Sequence, residues 1–118
     1  MSQTITLQQT SAIDQLVYLC HQNAVLHGFY EDESVNHVLI KMALVVTELS
    51  EVIEGFRNGK GIKPDEHCPD FSNEEIEVAD SIIRLLDYAG WRNLRLGQAL
   101  QAKHAYNVGR PYKHNKSC

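Results

Sequence analysis

The chain has 118 residues, of which 43% are apolar and 22% charged, with a formal net charge of −4 at pH 7. This is the size and composition of one folded domain with a modest core, which excludes disordered, collagen-like and low-complexity classes. The negative balance gives no general attraction to a nucleic acid polymer, and no apolar run approaches the roughly 20 residues that span a bilayer.

Met1 to Thr10 is polar, without a basic-then-apolar secretory layout, so a cytoplasmic location with no membrane partner is expected. Cys20, Cys68 and Cys118 are odd in number, far apart and without a CxxC pair, which argues for reduced thiols. Ser11-Ala12-Ile13-Asp14 has capping-box spacing, and Ile13, Leu16, Val17, Cys20 and Ala24 follow at helical intervals up to Gly28. This predicts the first helix. Phe29 and Tyr30 lead into the acidic link Glu31-Asp32-Glu33, where Asp32 or Ser34 is placed to cap the next element.

The second helix is expected from about Ser34 to Asn58, closed by Gly59. Its wide apolar stripe is Val35, Val38, Leu39, Met42, Val45, Val46, Leu49, Val52, Ile53 and Phe56. A second stripe, His37, Lys41, Leu44, Glu48 and Glu51, steps by four and three as a packing seam does, yet most of its members are ionisable. The Gly- and Pro-bearing segment from Gly59 to Asn73 is expected to be a loop, long enough to move over a site, with Lys60 and Lys63 available to a phosphate.

Ser72-Asn73-Glu74-Glu75 is a capping box that opens the third helix, expected to end at Gly90. Ile76, Val78, Ala79, Ile82, Ile83, Leu85, Leu86 and Ala89 form its apolar face, and Glu77, Asp80, Arg84 and Asp87 form a second seam. The fourth helix is expected from Leu94 to Val108, with Lys103, Asn107 and Arg110 at a four-then-three spacing and a basic tail of Tyr112, Lys113, His114 and Lys116. The predicted fold is all-α, an antiparallel four-helix-bundle-like single domain over residues 1–118. The broad apolar girth of helix two calls for a homodimer or homotetramer.

The acid doublets Glu48/Glu51 and Glu77/Asp80 carry the chemistry. Residues three apart share a helix face, so antiparallel packing of helices two and three brings four carboxylates together where their repulsion calls for a cation. Hard oxygen donors without Cys or suitably spaced His select Mg²⁺ or Mn²⁺, and no Glu or Asp has a His three residues later, as di-iron bundles require. Mg²⁺ is commonly shared between carboxylates and substrate phosphates. Lys103 and Arg110, with Asn107 as neutral donor, supply positive field for such phosphates.

The order ExxE in an apolar helix, a loop, ExxD, then a Lys-Asn-Arg helix ending in Arg110-Pro111-Tyr112 resembles the MazG-like all-α nucleoside triphosphate pyrophosphohydrolases. The resemblance covers most of the chain, through KMALVVTELSEVIEGFRNG, EEIEVADSIIRLLDYAG and KHAYNVGRP. It implies that Glu48, Glu51, Glu77 and Asp80 bind Mg²⁺, and that Lys103, Asn107 and Arg110 hold the substrate phosphates. It also implies hydrolysis of a nucleoside triphosphate to monophosphate and pyrophosphate, with Glu48 or Glu51 orienting the attacking water. Many members write the first motif as EExxE, whereas Thr47 precedes Glu48 here, which bears on the number of metals held. Two alternatives stand beside this reading: a non-catalytic helical module that binds a metal, nucleotide or partner, and a related phosphoribosyl-nucleotide pyrophosphohydrolase.

Overall fold

The computed structural model describes residues 3–115; Lys116 of the basic tail and Cys118 lie outside them. Four α-helices account for most of the described chain: α1 Leu7–Leu26, α2 Val38–Arg57, α3 Asn73–Trp91 and α4 Leu96–Val108. Single 3₁₀ turns occupy Glu33–Val35 and Tyr112–Asn115. The all-helical class expected from periodicity is therefore the observed one. No helix among the described residues is long and apolar enough to cross a membrane.

Several helix boundaries differ from expectation, each for a local reason. The first helix starts four residues before Ser11, because Thr6 and Gln9 form the capping box: Gln9 N–H donates to Thr6 Oγ1 at 3.1 Å and Thr6 N–H to Gln9 Oε1 at 2.9 Å. Asp14 instead accepts from Gly97 N–H, at 3.2 Å, in the first turn of α4. Asp32 does cap, but it caps the 3₁₀ turn, and α2 begins only at Val38 with His37 as its N-cap. His37 Nδ1 accepts from Leu39 N–H at 3.1 Å, so this member of the expected seam serves the helix end. Ser72 and Glu75 form the predicted capping box of α3.

Gly90 does not end α3, which continues through Trp91 to a cap at Arg92. It is small for tertiary reasons: a Cβ there would lie 2.6 Å from the His21 Cβ on α1. Gly97 plays the same part between α4 and α1, where a Cβ would approach the Thr10 carbonyl oxygen to 2.5 Å. Backbone cannot yield as a flexible side chain does. Gly97→Ala is expected to destabilise the fold by about 1–3 kcal/mol, read as a lowered denaturation midpoint at unchanged m-value.

α3 packs along both α1 and α2, and α1 also packs against α4. The helices thus lie in the series α2, α3, α1, α4. Contacts Glu48 to Arg84 and Lys41 to Trp91 run in opposite senses along α2 and α3, which makes that pair antiparallel. Gln101 to Ile5 and His104 to Gln3 place α4 antiparallel to α1.

The 59–72 connection is a loop, as expected, but it is fastened rather than free. Gly61 N–H donates to Gly55 O, Asp65 N–H to Phe71 O, Asn73 N–H to Lys63 O and Glu74 N–H to Gly61 O. Buried Asp65 accepts from His67 and Cys68 N–H, both at 2.9 Å, and ties the loop centre.

The apolar seam of α2 is largely uncovered. Leu39, Met42, Val46, Leu49, Ile53 and Phe56 step by three and four, and all but Met42 are exposed, Leu39 by 72% and Ile53 by 61%. The chain exposes 9088 Å², against about 6,500 Å² expected for a compact monomer of its mass. Its radius of gyration is 16.7 Å, where about 13.5 Å is usual for this length.

Candidate metal centre and adjoining cavity

The acid doublets meet between α2 and α3. Glu48, Glu51 and Glu77 each present a carboxylate oxygen within 4.8 Å of one another. Asp80 stands one turn along α3 from Glu77, near enough to Glu48, Glu51 and Asp65 for their charges to raise its pKa, although burial is the larger cause and Arg84 opposes the rise. Glu77 is pushed up to about 7, first by burial, then by Glu51 beside it, then by Asp80 and Glu48. Its Oε2 is buried and has no hydrogen-bond partner among the described residues.

Such a group has the donors to hold a cation. Three convergent hard oxygens, one of them an orphaned buried acceptor, fit Mg²⁺ or Mn²⁺ and would suit a softer metal poorly. Arg84 supplies part of the compensation: its Nε–H donates to Glu48 Oε1 at 2.6 Å, and the Glu48 side chain is only 12% exposed. Glu51 remains exposed.

A cavity of about 420 Å³ opens beside the acids between α1, α2 and α3. Glu48, Asp80, Arg84 and Lys41 line its charged side, and Phe29, Asn23, Ile83 and Tyr88 are among the residues of the rest. Asp87, also in the lining, accepts from His21 Nδ1–H at 2.9 Å and Tyr30 O–H at 2.8 Å, which joins α1, the following turn and α3. Burial, then this hydrogen bond, raises the Tyr30 pKa, so the hydroxyl stays a donor. Lys41 Nζ lies 3.9 Å from the centre of the Tyr30 ring and 5.8 Å from that of Trp91.

No protein-family model, curated protein or solved structure matches the chain.

The phosphate residues expected on α4 are not part of this cavity. Lys103 Nζ sits 4.5 Å from the Tyr106 ring centre and the Arg110 guanidinium carbon 5.5 Å from it, so the two cations flank one aromatic ring. Asn107 Oδ1 is buried without a hydrogen-bond partner among the described residues. α4 packs on the α1 side of the molecule, and no hydrogen bond or ion pair among the described residues joins these three side chains to the acids. Lys60 and Lys63 are exposed on the loop and do not line the cavity.

The seam pattern already contained Lys41, Arg84 and Asp87, but spacing alone gave them no partner. His21 and Asp65 carried no signal, since one lies on a helix whose polar face looked ordinary and the other in an acidic loop. The His67-Cys68 pair contributes backbone N–H groups to Asp65, and neither side chain belongs to the acid cluster.

Proposed function

We propose that the chain is a Mg²⁺-dependent nucleoside triphosphate pyrophosphohydrolase of the MazG-like type, releasing pyrophosphate and leaving the monophosphate. The observation that carries the reading is the convergence of Glu48, Glu51 and Glu77 oxygens within 4.8 Å beside a cavity that also holds cations and aromatic rings. Glu48, Glu51, Glu77 and Asp80 would hold a divalent cation, which when bound would screen the phosphate oxygens and stabilise the charge that develops on them.

The chain's own groups divide the remaining work. Glu51, exposed and free of Arg84, orients a water and accepts its proton as the water oxygen bonds to the α-phosphorus. The bond from that phosphorus to the bridging oxygen breaks, and pyrophosphate leaves with the oxygen. In the free protein Glu48 is held in place by Arg84. Phe29 and Tyr88, in the cavity lining, offer apolar faces for a base.

The reading includes a homodimer or higher assembly. Its support is the uncovered α2 seam together with surface beyond the compact expectation of about 6,500 Å², the chain exposing 9088 Å². Light scattering at micromolar concentration is expected to give a dimer or tetramer, and Ile53→Glu, which places a charge in the seam, is expected to shift it toward monomer. A wild-type chain that runs only as monomer would contradict the assembly.

Incubation with a panel of nucleoside triphosphates and Mg²⁺ tests the activity directly, with pyrophosphate and monophosphate as expected products. Nucleotide binding without pyrophosphate would favour a non-catalytic module, and turnover confined to a phosphoribosyl nucleotide would move the substrate class.

A further inference from the structure

The charged residues facing the cavity are ordered along it. Lys41 and Glu48 are seven residues apart on α2, two turns or about 10.5 Å, and Asp80 and Arg84 are one turn apart on α3. Because the two helices run antiparallel, the Glu51/Glu77 end is purely acidic, Arg84 follows at Glu48, and Lys41 lies beyond it against Tyr30 and Trp91. The sequence of chemistries is acid, then cation, then aromatic rings with the Asp87 carboxylate among them.

Lys41 and Arg84 share the cavity lining with the carboxylates of Glu48, Asp80 and Asp87, so a phosphate entering it competes with these acids for the two cations. Arg84 is close enough to Lys41 to lower its proton affinity, adding to the larger effect of burial, while Asp87 opposes both. Among the described residues Lys41 makes no ion pair, and the Arg84 guanidinium makes one, through Nε, with its terminal nitrogens free of hydrogen bonds. A planar guanidinium with unused donors is suited to phosphate, and a lysine beside it adds a point charge.

We propose that Arg84 and Lys41 bind the oligophosphate of the substrate between the acid cluster and the aromatic end, and that Arg84 exchanges partners to do so. In the free protein Arg84 is the counter-ion of Glu48; when a divalent cation takes that carboxylate, the guanidinium turns to phosphate oxygens. This assignment rests on the proposed function and deepens it: the phosphate grip comes from α2 and α3 of the chain that holds the acids, not from α4 alone. It also gives an order of loading, with the cation freeing the arginine that the phosphate needs.

Equilibrium binding separates these statements from the activity. Free Mn²⁺ is followed by its paramagnetic resonance, and inorganic tripolyphosphate, which has no base, is titrated calorimetrically at saturating Mn²⁺, with far-ultraviolet dichroism confirming the fold of each variant. Arg84→Gln is expected to bind Mn²⁺ several-fold more tightly, because the competing counter-ion is gone, and tripolyphosphate about 10- to 100-fold more weakly. Lys41→Gln is expected to weaken tripolyphosphate by about tenfold and leave Mn²⁺ within twofold; Arg84→Lys is expected to fall between wild type and Arg84→Gln. Should Arg84→Gln fail to fold, Lys41→Gln and Arg84→Lys carry the same comparison.

Tripolyphosphate affinity within twofold of wild type in the folded variants would overturn the phosphate assignment. Weaker Mn²⁺ binding by folded Arg84→Gln would overturn the exchange, showing that Arg84 supports the ligand instead of competing for it. A wild-type protein that takes Mn²⁺ but no tripolyphosphate would overturn the inference alone. One that takes neither would overturn the proposed function, and the inference with it.

Discussion

Glu51→Gln is expected to lower Mg²⁺-dependent pyrophosphate release by about 10²- to 10⁴-fold, the range over which a positioned general base contributes. The substitution keeps the side chain's volume and one oxygen, so the cleft retains its shape, but an amide cannot accept the proton of the attacking water. Glu51 is the acid for this role because it is open to water, whereas the Glu48 side chain is only 12% exposed. Fold integrity should be preserved, because an exposed carboxylate in a like-charged cluster contributes repulsion rather than packing. The measurement is kcat at saturating nucleotide, with Mn²⁺ affinity as a companion value to separate loss of a base from loss of a ligand. A folded Glu51→Gln protein with full Mg²⁺-dependent turnover would remove Glu51 from the reaction.

The sequence carried the local physics of this chain well and its long-range pairings poorly. Helical periodicity located all four helices, and the Ser72/Glu75 box was legible because both partners of a capping box lie within one turn. The first helix was harder, since Thr6-to-Gln9 and Ser11-to-Asp14 have the same spacing; only the tertiary fold shows that Asp14 is spent on Gly97 of α4. Gly90 reads locally as a helix stop, yet its lack of a Cβ serves contact with His21, 69 residues earlier.

The same division runs through the candidate site. Two i, i+3 doublets on adjoining helices lead to an expected meeting of four carboxylates; Glu48, Glu51 and Glu77 do converge, while Asp80 stands one turn along α3 outside that group. Arg84 with Glu48, and His21 with Asp87, join residues 36 and 66 positions apart and depend on which turns of two helices face each other. For Lys103, Asn107 and Arg110, spacing identified a shared face but not what it meets. In this chain α4 packs along α1, and Lys103 and Arg110 lie against Tyr106.

Metal-free protein is expected to melt about 5 °C lower at pH 8 than at pH 5.5, and Mg²⁺ is expected to reverse the difference. The sign follows from Glu77, whose carboxyl is at about 7 in the fold against 4.5 for an ordinary glutamate. Between those values the folded state holds the extra proton, so stability falls as pH rises through this window and levels off above it. Asp80, also raised, acts in the same direction. Asp32 and Glu75 act oppositely: hydrogen bonds from Ser34 and Ser72 lower their values, so their contribution is lost only as pH falls below about 4. A shift of Glu77 from 4.5 to about 7 would be worth roughly 3 kcal/mol unscreened, and solvent in the open cleft reduces this to about 1–2 kcal/mol. Mg²⁺ binds the ionised form of these acids, and at a hundred times its Kd adds about 2.7 kcal/mol, a rise of about 10 °C at this chain length. The rise should therefore be larger at pH 8, where the carboxylates are ready for the cation, than at pH 5.5, where it must displace protons. Glu77→Gln, neutral at every pH, should flatten the metal-free profile. An acid cluster with no metal to hold would keep its pH slope and show equal melting with and without Mg²⁺ at pH 8.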